Sequence, residues 1–345
     1  MFKELIRFII LLPVSLLVYL GILAIIILIS PIILFVFLCV AINKIIVNDG
    51  ARSDKVIQFE PEIGWKPKPN MDNVRYFDRI YDSVTITTDE DGWPTPHSIK
   101  ESDVIVFGDS FAFGYGSKYE DTYFALRDDI VIKPIAASGY NMVQSLMLME
   151  KYQEDINDKL VFWLICLEND LIENLRPYNS KSYRNPFLRN KSNQDWELVN
   201  AHINPQKWMY GKEPNNHFYF ANLCYESAYS NRVFSAVRYL LQEAKVVCDT
   251  AGSELVIFTI PDKGQLSKNG IEQFERNVNG TNKFDAEYPD RMFAKICSEL
   301  NIAFMPGKSY LNLEDYKKRD SHWNKKGNRK ISDIIYKYSN DSISK

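Results

Sequence analysis

Asp103-Val104-Ile105-Val106-Phe107-Gly108-Asp109-Ser110-Phe111-Ala112-Phe113-Gly114-Tyr115-Gly116 is the stretch on which the fold turns. Val104 to Phe107 form an unbroken apolar run with β-branched residues, the mark of a strand buried on both faces of a parallel sheet. The run stops at Gly108, and Ser110 follows two positions later. A hydroxyl just past the carboxyl end of a central strand sits where open α/β sheets hold their ligands. Glycine permits the sharp turn, and the amides after it are free to face an anion. Taken alone, Gly108-Asp109-Ser110 reads equally well as a turn closed by an Asx or Ser cap.

Working outward, the same edge recurs. Ile130 to Ala136 reads as a second buried strand ending at Ser138-Gly139, and Leu160 to Leu167 as a third, with Asn169 and Asp170 beyond it. In a parallel sheet Ser110, Gly139 and Asn169 would then emerge together. Leu255 to Ile260 and Ile302 to Met305 supply further strands. Helices are expected after the Gly-rich turn in Phe111–Arg127, and over Met142–Glu154, Asn231–Thr250, Gln265–Arg276, Asp290–Leu300 and Arg329–Tyr338. Met142–Glu154 places Val143, Leu146, Met147 and Met149 at helical spacing, a face suited to a core. Strands alternating with helices predict an α/β fold, a three-layer sandwich around a parallel sheet.

The far end of the chain gives Ser110 a partner. Asp320-Ser321-His322-Trp323-Asn324 lies just before the closing helix. A carboxylate two positions before a histidine can accept from one ring nitrogen while the other faces a nucleophile. Asp109 and Asp170 read as structural.

At these residues the chain resembles the SGNH (GDSL-type) hydrolase superfamily. Gly108-Asp109-Ser110 matches the first block of that family. Ser138-Gly139-Tyr140-Asn141 with Gln144 is similar to the second, Leu167-Glu168-Asn169-Asp170-Leu171 to the third, and Asp320 with His322 to the fifth. The blocks occur in family order over Asp103 to Ile335. The third block departs by carrying Leu167 where the family usually has glycine, and the fifth by a single intervening residue, Ser321. That shorter spacing resembles the membrane-tethered branch that includes alginate-acetylation proteins. The resemblance implies an SGNH/flavodoxin-like sandwich and a triad of Ser110, His322 and Asp320. It also implies an oxyanion hole from Ser110, Gly139 and Asn169.

Bulk properties narrow the partners. Of 345 residues 46% are apolar and 25% charged, ordinary for a folded chain. A net charge of −3 without a long basic run argues against nucleic acid. The five cysteines show neither metal spacing nor a disulfide framework. His97, His202 and His217 lack metal spacing too, and no Rossmann or P-loop glycine pattern is present, so neither metal nor cofactor is expected.

From Phe8 to Ile42 no residue is charged. That exceeds the apolar core of a signal peptide and the ~20 residues of one span. Residues 1–46 therefore read as a membrane anchor of one long or two short spans, with turns or kinks at Pro13, Gly21 or Ser30-Pro31. One crossing with Lys3 and Arg7 inside, as in a bacterial-type inner membrane, would put the catalytic part outside the cytoplasm; a hairpin would return it. Residues 47–100 read as linker and strap. Within them Val84 to Thr88 has the alternation of an edge strand, and Asp89-Glu90-Asp91-Gly92 that of a solvated turn without the ligand positions of a calcium loop. Residues 101–345 form the hydrolase-like domain, interrupted at about 176–220 by an aromatic-rich insertion whose Trp196, Trp208 and Tyr210 suit a sugar-binding platform or simple packing.

These features point to a membrane-anchored serine esterase or O-acyltransferase acting on an acylated, chiefly acetylated, carbohydrate or lipid-linked glycan. Two alternatives stay open: a non-catalytic glycan-binding or assembly protein on the same fold, and a lipid esterase. The sequence leaves the oligomeric state undetermined.

Overall fold

The computed structural model describes residues 16, 18–20, 22–39, 56–76, 84–175, 185–192, 195–199, 220–278 and 284–343. The chain divides into two compact units, Met1–Arg52 and Ser53–Lys345.

The first unit contains α1 (Val18–Cys39), an apolar helix of 22 residues. At 1.5 Å per residue it is about 33 Å long, which matches the roughly 30 Å hydrocarbon layer of a bilayer. It runs unbroken through Ser30 and Pro31, so the hairpin turn that this pair could have made is absent. Among the described residues it is the one helix long and apolar enough to cross a membrane. A secretion signal has a similar composition, so the feature established is an apolar N-terminal helix.

The second unit opens with two antiparallel ribbons, β1 (Ile57–Glu60) with β2 (Gly64–Pro67), and β3 (Val74–Tyr76) with β4 (Val84–Ile86). The expected edge strand at Val84–Thr88 thus pairs inside its own ribbon and not with the main sheet. That sheet begins with β5 (Val104–Gly108), β6 (Ile132–Ala136) and β7 (Leu160–Cys166). A hairpin of β8 (Phe187–Ser192) and β9 (Asp195–Val199) follows, and β10 (Glu254–Ile260) and β11 (Ala303–Pro306) complete the sheet. Its five strands are all parallel, in the order β11-β10-β7-β5-β6.

Period-two alternation sorts the central strands into two cores. Ile105, Phe107, Val161, Trp163 and Ile257 pack with α3 (Met142–Lys151), α5 (Ala228–Thr250) and α7 (Tyr288–Glu299). Val104, Val106, Phe162, Leu164 and Val256 pack on the opposite face with α2 (Ser110–Phe113) and α8 (Lys325–Ile343). This is the three-layer α/β/α sandwich with a central parallel sheet, as the alternation of elements predicts.

Several boundaries moved for identifiable reasons. No helix fills Gly116–Arg127, because the Tyr123 amide donates to Asn328 Oδ1 and its hydroxyl to the Ala112 carbonyl; only a 3-10 turn forms at Tyr119–Asp121. The helix expected over Gln265–Arg276 is split at Ser267, whose hydroxyl caps α6 (Lys268–Asn277) by accepting from the Gly270 amide. The acidic turn is not simply solvated: Asp89 is buried, caps the turn by accepting from the amides of Asp91 and Trp93, and pairs with the fully buried Lys133 of β6 at 2.5 Å. Removing one partner of such a pair costs about 3–5 kcal/mol, because the other is left as an uncompensated buried charge. The residues ahead of the sheet are therefore bolted to its edge.

Candidate active site

The strand register assembles one half of the site. Gly108 at the end of β5 lies opposite Ala136 at the end of β6, so the chain just beyond each, Ser110 and Ser138-Gly139, leaves the sheet side by side. Gly108 has φ +154°, and a Cβ there would lie 2.6 Å from the Leu164 carbonyl oxygen of β7, so no other residue fits the turn. Asp109 then starts α2, its Oδ1 accepting from the Phe111 amide at 2.9 Å. The single-turn helix begins with Ser110, which is largely buried.

The other half comes from the loop before α8. Ser110 Oγ lies 2.7 Å from His322 Nε2, and His322 Nδ1 lies 2.6 Å from Asp320 Oδ1. The carboxylate accepts from Nδ1–H and so leaves Nε2 as the acceptor for the serine proton. A serine hydroxyl has one proton to give. The competing contact, from Ser110 Oγ to Asp109 Oδ2, is longer at 3.3 Å, so the geometry favours the histidine. The imidazole is held between Phe111 and Tyr115, with ring centroids 4.8 and 4.9 Å away. Trp323, next in sequence, is buried edge-on against Phe111.

The electrostatics separate the carboxylates. Burial works against ionisation of Asp320, but the hydrogen bonds and positive charge of His322 outweigh it and hold the carboxyl at about 2. Burial pushes Asp109 up, against the Phe111 amide that lowers it. Burial likewise raises Glu168, partly offset by a hydrogen bond with Ser321 and by the charge of His322. Asp170 is pushed well up by burial and by the charge of Asp109. It ties the third loop together by accepting from the Cys166 amide at 2.8 Å. Asp320 is thus the carboxylate held ionised beside the ring.

Asn169 sits three positions past β7 and begins α4 (Asp170–Glu173); its Nδ2 donates to Glu173 Oε2 at 3.3 Å. An amide nitrogen carries two N–H donors, so this bond leaves a second. Gly139 is exposed on the neighbouring loop. Trp196 is in a different place from the one a sugar platform requires. Its ring packs in the apolar core with only 8% exposure, because the β8–β9 hairpin folds onto the domain. Trp208 and Tyr210 lie outside the described residues. His97 is exposed, and among the described residues no cluster of metal-ligating side chains occurs.

Three groups had no distinct signal in the sequence. Lys263, just after β10, donates to the backbone carbonyls of Lys317, Lys318 and Asp320 and so grips the loop that carries the histidine. Lys317 on that loop donates to the Gly116 carbonyl at 2.5 Å and to Tyr115 at 3.3 Å, bridging to the serine loop. Glu168 was visible only as a filler position in the third block.

No family model and no curated protein matches the chain. Solved structures do. A member of the lipolytic protein G-D-S-L family from Veillonella parvula is 13% identical, with a TM-score of 0.39 over 68% of this chain and 96% of its own. An extracellular lipase from Streptomyces rimosus is 14% identical, with a TM-score of 0.39 over 69% and 99%. The inhibitor-bound aryl esterase of M. smegmatis is 10% identical, with a TM-score of 0.38 over 70% and 98%.

Proposed function

We propose that the chain is a serine ester hydrolase of SGNH type. The observation that carries this reading is the unbroken relay from Asp320 through His322 to Ser110, at 2.6 and 2.7 Å. In the reaction Ser110 Oγ attacks the ester carbonyl while His322 Nε2 takes its proton, and Asp320 stabilises the imidazolium. The oxyanion is received by the amides of Ser110 and Gly139 and the side-chain amide of Asn169, each worth about 3 kcal/mol in the transition state. His322 returns its proton to the leaving alkoxide. Water, activated by the same imidazole, then releases the acyl group from Ser110. A sugar hydroxyl in place of that water would make the reaction acyl transfer.

The substrate we assign is a small O-acyl group, chiefly acetyl, on a carbohydrate or lipid-linked glycan. Beside the nucleophile, Ser110, Phe111, Tyr115, His322 and Trp323 line only a shallow hollow open to solvent, which favours a short acyl group over a long chain that would need an enclosed channel. The apolar α1 supports a single membrane anchor, with the catalytic domain on the extracytoplasmic side of a bacterial-type inner membrane.

Full-length protein in detergent, treated with a fluorophosphonate, should be labelled at Ser110, and Ser110→Ala should abolish labelling. The same variant should lower kcat on 4-nitrophenyl acetate by about 10⁶-fold. Wild-type protein that neither labels nor turns over would leave a binding protein on this fold. Faster turnover of 4-nitrophenyl palmitate than acetate would make the enzyme a lipid esterase. An acetylated oligosaccharide assayed with an unacetylated acceptor distinguishes release of acetate from transfer.

A further inference from the structure

The mechanism assigns the Gly139 amide to the oxyanion, and the structure shows what orients that amide. Trp65, in β2, donates its indole N–H to the Ser138 carbonyl oxygen at 3.0 Å. That carbonyl and the Gly139 N–H belong to one peptide group. The chain has no cis peptide bond among the described residues, and in a trans peptide the C=O and N–H point in opposite directions. Fixing the oxygen on the Trp65 side therefore aims the N–H away from it, on an exposed residue beside Ser110. We propose that Trp65 is a positioning residue for the oxyanion hole, acting through the 138–139 peptide.

The connection is built from both directions. The Tyr140 hydroxyl donates to the Trp65 carbonyl at 2.5 Å, and Gln144 Nε2 donates to the Ile63 carbonyl at 2.6 Å. The Trp65 and Tyr140 rings are 5.7 Å apart. Gly139 itself has φ +80°, and a Cβ there would lie 3.5 Å from the indole, so the ring lies along the glycine as well as bonding the peptide before it. Left to itself, a glycine peptide rotates more freely than any other, since no Cβ restricts its dihedrals. The indole bond removes that freedom before substrate arrives, which is what preorganised stabilisation of a developing charge requires. A bond to the carbonyl also polarises the same peptide toward stronger donation from its N–H.

The proposal rests on the serine hydrolase reading, and the test keeps the two apart. Trp65→Phe retains the ring and removes the N–H. In full-length protein in detergent it should lower kcat on 4-nitrophenyl acetate by about tenfold, part of the loss expected for deleting a whole oxyanion donor, with KM unchanged. Phenylboronic acid, which forms a tetrahedral adduct on the serine, should bind more weakly by a similar factor. Simple loosening of the fold would lower the melting temperature without linking kcat to boronate affinity. Tyr140→Phe, which keeps the indole and frees its backbone, should shift both readouts the same way by a smaller factor. Unchanged kcat and boronate affinity in Trp65→Phe would overturn the proposal. Should that variant fail to fold, an unchanged pair of readouts in Tyr140→Phe would overturn it. Activity retained in Ser110→Ala would instead overturn the hydrolase reading.

Discussion

The two halves of the candidate site are held in place by different physics. Ser110 and Gly139 follow neighbouring parallel strands, so ladder hydrogen bonds and strand register bring their loops to one edge. Asp320 and His322 lie on a loop well past β11, outside the sheet; a backbone bridge between Tyr316 and Trp323 closes the loop on itself, and side chains tie it to the rest of the domain. Lys263 grips three loop carbonyls, Lys317 reaches across to the serine loop, and Asn324 donates to the Tyr316 carbonyl at 3.0 Å while capping α8. A register is shared by many residues and tolerates the loss of any one. A loop tied to its surroundings by a few side chains depends more on each. The placement of the strand ends should therefore tolerate substitutions within the sheet, while the placement of the histidine loop should yield to loss of a single anchoring side chain.

The largest expected effect falls on the histidine side. Asp320→Asn should lower kcat by about 10⁴-fold, because the amide no longer secures Nδ1–H or stabilises the imidazolium. The same substitution carries a pH signature. The folded-state carboxyl sits near 2, below its unfolded value of about 3.9. Its contribution to stability is therefore present above about pH 4 and is lost as pH falls toward 2. The difference in melting temperature between wild type and Asp320→Asn should narrow over that window, and a difference that widened would mean the carboxylate is not held by His322.

On the register side the expected loss is smaller. Asn169→Ala removes one of the three proposed oxyanion donors and should lower kcat by about 10²–10³-fold with little change in KM. Labelling of Ser110 by a fluorophosphonate should persist in that variant at a reduced rate. A change confined to KM would place Asn169 in ground-state binding.

The smallest effect probes the brace itself. Lys263→Met keeps the aliphatic stem but frees the carbonyls of Lys317, Lys318 and Asp320. About a tenfold loss of kcat is expected from the less well-placed imidazole. The matching substitution on the other side of the comparison, Gln144→Met, breaks the bonds to the Ile63 carbonyl and from the Asn141 amide but leaves the strand register intact, and should lower kcat less. Equal losses in the two would remove the distinction between a register-held and a side-chain-held half.

This division also explains what could be read from the chain in advance. The strands ending at Gly108, Ala136 and Cys166 were legible because each is a largely apolar segment bounded by turn residues, broken in the second only by Lys133 and Pro134, and a parallel sheet brings their ends to one edge. Asp320 and His322 were legible through their spacing. The contacts that orient these groups were not. Lys263 reaches Asp320 across 57 positions, Trp65 reaches Ser138 across 73, and Lys133 reaches Asp89 across 44. A side chain bonding a distant backbone carbonyl leaves no periodicity or composition to detect. Trp196 misleads for the opposite reason: a tryptophan among polar residues looks like a binding surface, yet hairpin pairing turns its ring inward.

Both outer strands of the sheet carry a proline, Pro134 in β6 and Pro306 at the end of β11. A proline has no amide hydrogen, so neither rim offers a complete row of donors to a neighbouring chain. The Asp89 turn, pinned by Lys133, further occupies the β6 side. Copies crowded together would therefore meet blunted borders and be less prone to stack into fibrils through their sheets.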